Sequence, residues 1–367
     1  MDSPMKNVLF SCFAVLAAYG ISFAQPVKEP DSLKVEGSYP YRLPFLGQKA
    51  FERGYGDQLQ LPLGVNINHV NAYIELGITE FELTVGGKDF TDIINAETLN
   101  FQEVSATTNG LNWRADAWVL PFMNVYGLFS AVRGGTAVTL QPTWRDASNN
   151  IILQLPAFSS EVEFDAIAYG IGTTLVFGWD NYFLSSDLNY SATSTELLNQ
   201  QVGYLTVSAR AGYRINFKNK PEMFFAPYFG MMYRDFVGSN GNDGSINFDE
   251  VFPGLEDELN TGVDGKVQSN EDEIAGLNPI TDAGEIAKLL AQNIFLRDLQ
   301  ERANESEIFT TEINYFIQKE MIQAVTVQLG FNFQFNKHWA LRGEYGVSGS
   351  QRFLLTGLQY RFGIPKK

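Results

Sequence analysis

Residues 324–335 admit one kind of backbone. Val325, Val327, Leu329, Phe331, Phe333 and Phe335 take every second position, and Thr326, Gln328, Gly330, Asn332 and Gln334 stand between them. A helix turning once in about 3.6 residues would scatter both sets around its circumference. A strand, whose side chains point alternately to its two faces, separates them completely.

The pattern recurs between turn signals. Ile167, Tyr169, Ile171, Leu175 and Phe177 oppose Ala166, Ala168, Gly170, Gly172 and Thr174. Leu205, Val207, Ala209, Ala211, Tyr213 and Ile215 oppose Thr206, Ser208, Arg210, Gly212 and Arg214. Leu354, Thr356, Leu358, Tyr360 and Phe362 oppose Leu355, Gly357, Gln359 and Arg361. The spacing predicts about twelve strands, near residues 61–78, 98–119, 122–132, 134–143, 161–178, 180–192, 201–217, 222–235, 308–317, 323–336, 338–347 and 351–363. The fold class is therefore all-β, an antiparallel up-and-down barrel. Aromatic residues at 14% against charged residues at 19% suit that class better than a helical enzyme.

A soluble barrel turns its apolar face inward, and a membrane barrel turns it outward to lipid. The polar faces here mix small residues with Arg210, Arg214, Arg342 and Glu344, as a wet interior requires. Aromatics such as Phe177, Trp179, Tyr182, Phe183, Phe335 and Trp339 gather at segment ends, where an interfacial girdle belongs. Both features favour the transmembrane form. The final segment, with Tyr360 and Phe362, resembles the C-terminal assembly signal of Gram-negative outer-membrane β-barrels, although Gly363 to Lys367 follow the aromatic. The stretch Ala115 to Gly127 (ADAWVLPFMNVYG), then Tyr169 to Thr174 (YGIGTT) and Asn336 to Trp339 (NKHW), resembles a poorly characterised family of Gram-negative outer-membrane barrels. The resemblance implies that fold and location, with outer-membrane lipid and the barrel assembly machinery as partners, and it supplies no catalytic residues.

The N-terminus fits such a location. Lys6, an apolar stretch over residues 8–23 and Ser22-Phe23-Ala24 ahead of Gln25 read as a secretory signal peptide over residues 1–24. Lipidation at Cys12 has Leu9 and Ser11 in its favour, but Phe10 suits it badly and the apolar run continues past it. Cys12 is the one cysteine, so the mature chain is expected to lack disulfides, thiolate metal sites and a cysteine nucleophile. Residues 25–60 read as a periplasmic leader or a plug of the barrel mouth, with a short helix over residues 44–53 that Gly54 stops. Barrel strands are expected over 61–235 and again over 308–367.

Residues 236–307 between them break the pattern. They hold sixteen acidic and four basic residues, a net of −12 out of −16 for the whole chain. Such a charge excess excludes nucleic acid as a partner, and a run of this kind usually marks a solvated loop. Within it, Asp282 and Glu285 have capping-box spacing, and Ile286, Leu289, Leu290, Ile294 and Leu296 predict an amphipathic helix over 282–304. Counting four strands back from a periplasmic C-terminus places the insert in the periplasm. The habit of short periplasmic turns and long outer loops, with tight connections at Arg133-Gly134 and Asn336-Lys337, favours the outside.

Two stretches of the insert resemble degenerate calcium loops. Asp243, Gly244, Ile246 and Glu250 fill the fifth, sixth, eighth and twelfth positions, as do Asp264, Gly265, Val267 and Glu271. Ser239 or Asn260 replaces the first carboxylate, and Gly241 or Gly262 removes the third ligand. Weak Ca²⁺ binding is the cofactor expectation, with no other cofactor implied.

Lipid-hydrolase or acyltransferase chemistry would bring a histidine beside a serine. His69 and His338 are the two histidines, and the serines after His338, Ser348 and Ser350, fall at the far end of its strand. A non-enzyme is expected. Arg114, Asp116, Asp187, Arg210, Arg214, Arg342, Glu344 and Arg361 are the lumen-facing candidates, since an arginine at the lipid midplane costs about 2–4 kcal/mol. They either line a solute path or pair across neighbouring strands and fill a narrow barrel. The first alternative describes a monomeric passive channel, transporter or surface binding protein for small solutes. The second describes a structural or adhesion barrel with a closed lumen.

Overall fold

The computed structural model describes residues 37–56, 59–195, 200–238, 241–311 and 313–366. The signal peptide over 1–24 with Cys12, and Ser239 of the first calcium-like loop, lie outside them. One unit comprises Gly37–Tyr39, Gly47–Gly56 and Leu59 of the described chain. It holds helix α1 (Gly47–Ala50), which runs into a wider turn over Phe51–Tyr55, and Gly54 takes a left-handed φ of 81° there. Gln48 Oε1 accepts a 2.9 Å hydrogen bond from the Tyr39 amide.

Among the described residues, the second unit is built on sixteen strands. The first eight are β1 (Leu63–Val85), β2 (Lys88–Asp89), β3 (Phe101–Leu120), β4 (Met123–Leu140), β5 (Thr143–Arg145), β6 (Ile151–Gln154), β7 (Phe158–Trp179) and β8 (Tyr182–Thr195). The rest are β9 (Val202–Tyr213), β10 (Ile215–Phe217), β11 (Lys220–Val237), β12 (Gly241–Ile246), β13 (Ile313–Met321), β14 (Val325–Gln334), β15 (Trp339–Val347) and β16 (Gln351–Phe362). Ten of them pair antiparallel in the order β1-β16-β15-β14-β11-β9-β8-β7-β4-β3, and β3 returns to β1 to close the ring. Closure leaves no edge along the paired lengths, the condition under which a sheet can span lipid.

The faces sort as the alternation requires. Ile67, Ile171, Phe229 and Leu329 point outward with 53%, 70%, 53% and 61% of their surface exposed. An apolar band of that extent around a whole ring is untenable in water and stable against acyl chains. Aromatics mark the end of the ring where the chain terminates: Trp179 packs on Tyr182 at 5.8 Å, Tyr182 on Tyr213 at 4.9 Å, and Trp339 on Tyr360 at 4.9 Å. Towards the other end the outward residues of β4 and β7 become charged, and Arg133 pairs with Asp165 at 3.1 Å. The apolar band stops short of that pair.

Two expected features are corrected. Arg133-Gly134 is not a turn, because β4 runs unbroken through it, with Arg133 opposite Asn109 and Gly134 opposite Thr108. The glycine serves close approach, since a side-chain carbon on Gly134 would lie 2.7 Å from the Phe164 ring. The strand over 308–317 is β13, which pairs with β1 and β12 outside the ring. Three ring strands, rather than four, therefore follow the insert, and it lies at the end of the ring opposite Phe362. The connections over residues 86–100 and 141–157 lie at that same end. The turns at the terminal end, such as 121–122 and 180–181, are short.

The insert is not a solvated loop. Helices α2 (Ala96–Leu99), α3 (Phe248–Val251), α4 (Leu255–Gly276) and α5 (Ala283–Glu305) build a cap around a core of their own. Leu255, Leu259, Val263 and Val267 repeat every fourth residue along α4 and are buried with Leu296 and Leu299 of α5. Phe81 and Leu83 of β1, Trp144 of β5 and Leu153 of β6 complete the core. The acids occupy the outer surfaces, and Glu256, Asp257 and Glu258 in the first turn of α4 favour its dipole. The capping box at Asp282 does not form, as its carboxylate accepts instead from the Asn278 amide at 2.9 Å. Leu289 and Leu296 are buried, whereas Leu290 and Ile294 are exposed.

Candidate functional site in the barrel lumen

Inward positions of the ring carry polar residues, and a narrow ring brings together side chains from strands that are not neighbours. Arg361 on β16 donates from Nε to the Leu61 carbonyl at 2.9 Å and from Nη2 to Asp116 on β3 at 2.9 Å. Asp116 accepts further from Asn124 on β4 at 2.6 Å and Asn66 on β1 at 3.0 Å. Arg114 donates to Asn124 Oδ1 at 2.9 Å and to Thr174 on β7 at 3.3 Å, while its guanidinium lies 3.6 Å over the Tyr126 ring. Thr174 donates to Asp187 on β8, and Asp187 pairs with Arg210 on β9.

Arg210 reaches past β11 and β14 to Glu344 on β15, through Nε at 3.1 Å and Nη2 at 3.3 Å. Glu344 also accepts from the Tyr228 hydroxyl on β11 at 2.6 Å, from Gln328 on β14 at 2.9 Å, and from Arg342 two residues before it. All ten ring strands contribute a side chain to this single connected network. Four guanidiniums face three carboxylates. Arg210, Arg342 and Arg361 are each paired with a carboxylate, Arg114 rests on Asn124, Thr174 and the Tyr126 ring, and all have further hydrogen-bond partners, as buried charges require. Asp116, Asp187, Arg210, Glu344 and Arg361 are 7%, 8%, 8%, 4% and 5% exposed.

Seven of the eight lumen candidates meet here. The eighth, Arg214, lies towards the terminal end, its guanidinium 4.2 Å over the Phe224 ring and its Nε enclosed without a hydrogen-bond partner. Sequence reasoning missed Asn66, Asn124, Thr174, Tyr228 and Gln328. Inward parity was their one signal, and many inward residues share it.

The calcium-like stretches adopt regular helix or strand. Asp264 and Glu271 stand on the continuous helix α4, roughly 10 Å apart along its axis, so no loop closes around an ion. Asp264 instead pairs with Arg297 at 2.6 Å, which holds its carboxyl below the usual range. Asp243 lies in β12, accepting from Gln200 at 3.0 Å, and Glu250 lies in α3. No group of three histidine or acidic side chains suited to a metal occurs among the described residues. His69 bonds Asn109 at 3.0 Å and His338 Nδ1 lies 2.8 Å from the Arg361 carbonyl, and among the described residues neither ring is hydrogen-bonded to a serine.

A closed antiparallel ring with an apolar exterior, an aromatic girdle and a polar interior is a transmembrane β-barrel of the outer-membrane kind. No family model and no curated protein matches the chain. Solved structures similar to it include the outer membrane protein OprG from Pseudomonas aeruginosa, at 7% identity over 84% of this chain and 99% of that one with a TM-score of 0.35. The beta domain of the Bordetella autotransporter BrkA matches at 9% identity over 81% and 99%, with a TM-score of 0.34. The translocator domain of the autotransporter NalP from Neisseria meningitidis matches at 11% over 86% and 95%, with a TM-score of 0.33.

Proposed function

We propose that the chain is a closed-lumen barrel of the Gram-negative outer membrane, whose business is done by the cap it holds on the cell surface rather than by conduction. The observation that carries this reading is the network joining all ten ring strands, with Asp116, Asp187, Arg210, Glu344 and Arg361 buried and paired across the lumen. A solute path needs charges that exchange partners with water. Here each is fixed by at least two side-chain or backbone partners. The placement of the insert and the long connections at one end, with tight turns at the other, supports an outer cap and a periplasmic end at Phe362. Strand β16 supplies the terminal amphipathic segment for assembly.

Planar-bilayer recording tests this. Folded wild-type protein inserts without steady single-channel steps, and Glu344→Ala, which removes the acceptor shared by Arg210, Arg342, Tyr228 and Gln328, gives intermittent openings. Steady porin-like conductance from the wild type would overturn the closed-lumen reading.

A further inference from the structure

The ring seam between β1 and β3 is incomplete. The two strands pair from Leu63 with Ala117 up to Glu75 with Ser105 and then part. Beyond Glu75, β1 continues as the partner of β13, from Leu76 opposite Met321 to Thr84 opposite Asn314, while β3 extends back to Phe101 beside β4. A cavity of about 440 Å³ fills the angle between them. That size lies within the range of small-ligand sites. The cleft sits past the outward pair His69 and Asn109, on the charged side of the apolar band, and so opens to water.

Its chemistry is two-sided. Ile78, Phe101 and Ile322 provide apolar wall. Glu75, Glu97 and Glu103 bring three carboxylates to the same space, against a single cation, Arg145. Glu97 and Glu103 are exposed, and among the described residues none of the three carboxylates has a cationic partner. Arg145 donates to the Asn149 carbonyl at 3.1 Å, which holds its guanidinium on its own turn. We propose that this cleft binds a cationic amphiphile, an organic ammonium carried on an apolar body. The ammonium answers the carboxylates and the body covers the apolar wall, so charge complementarity and shape select the same class. The proposal goes beyond the closed-lumen reading, because the cleft lies on the outer flank of the seam and its binding is independent of conduction.

Dansylcadaverine, a primary ammonium joined to an aromatic fluorophore, is the probe, added to full-length protein in phospholipid vesicles and to empty vesicles of the same composition. Wild type gives a saturable fluorescence increase above the empty vesicles. Glu97→Gln combined with Glu103→Gln weakens it by about tenfold or more, equivalent to about 1.4 kcal/mol. Those two side chains are exposed and bear no ion pair, so the variant keeps its fold, checked by the altered gel mobility of unboiled protein. Glu161→Gln, an exposed acid on β7 outside the cleft, binds as wild type. No signal above empty vesicles, equal binding by the double variant, or equal binding of an anionic dansyl carboxylate overturns the proposal.

Discussion

The Tyr228 ring lies flat over Gly330, so close that a side-chain carbon on that glycine would stand 2.5 Å from the ring's Cζ. Directly opposite each other on β11 and β14, the two residues let the Tyr228 hydroxyl reach Glu344 at 2.6 Å. The polar network therefore depends on a residue with no polar side chain. Gly330→Ala is expected to displace the ring and cost about 1–3 kcal/mol, as overpacking does. Chemical unfolding of the folded barrel in detergent measures it. Tyr228→Phe in the same background should cost little further, since the displaced hydroxyl has already lost its acceptor.

Arg361 and Asp116 give the second prediction. Their side chains are 6% and 0% exposed and 2.9 Å apart. Arg361→Met or Asp116→Asn alone strands a buried charge and should destabilise the barrel by about 3–5 kcal/mol. The double variant should cost clearly less than the sum. Additive losses in the double-mutant cycle would show that the two side chains are not coupled.

In the cap, Arg302 on α5 holds Asp92 through two hydrogen bonds of 2.7 and 2.9 Å, lowering the Asp92 pKa. A carboxylate depressed in the folded state stabilises above its unfolded value of about 3.9, and the contribution disappears as pH falls through the folded value. The Asp92 side chain is 61% exposed, so screening limits the effect of Asp92→Asn to below about 1 kcal/mol near neutrality. At acid pH the variant and wild type should converge. Hydrogen exchange of α5 across that range reads the difference.

Lys319 follows Ile313, Tyr315 and Ile317 on one face of β13, and burial lowers its pKa. No carboxylate pairs with it among the described residues. A lysine penalised in its charged form costs stability at neutral pH, and the cap should strengthen as pH rises through the lowered folded value towards the ordinary one. Lys319→Met should stabilise the cap by on the order of 1 kcal/mol and abolish that dependence. Proteolysis of the cap at pH 7 and pH 9.5 is the measurement.

Deleting residues 240–305 should expose Phe81, Leu83, Trp144 and Leu153, which the helices now cover. The expected product is a barrel with a protease-sensitive, aggregation-prone outer end rather than a trimmed one. A deletion variant whose loops 86–100 and 141–157 resist protease as wild type does would refute the shared core.

The ring was legible in the sequence because alternation reports burial directly, and lipid exaggerates it: Leu329 or Ile171 beside a glycine or threonine leaves no second interpretation. The charged lumen residues followed from parity. Their pairings did not, because Arg210 meets Glu344 past two intervening strands and Arg114 meets Thr174 past one, and such contacts depend on how tightly the ring closes. Glycines misled in both directions. Gly134 suggested a turn where it makes room for Phe164, and Gly265 suggested an ion loop where Leu255, Leu259, Val263 and Val267 already spelled helix α4. The strand β13 was recognised as a strand, yet nothing local in it shows that its partner is the outer half of β1.

That partnership ties the order of assembly to the far ends of the chain. The inner half of β1 waits for β16, where Leu63 meets Phe362, while its outer half is claimed by β13, whose Met321 opposes Leu76. Although β3 pairs with its inner half early, the first strand to emerge thus waits for its other two long partners until nearly all the rest has been made. Until then it carries two vacant edges side by side, one bound for the bilayer and one for water. A chain stopped before β13 lacks both of these pairings, and one stopped between β13 and β16 is sealed above and open below. Truncation should therefore yield a species that already resists protease at its outer end while still failing to close in lipid.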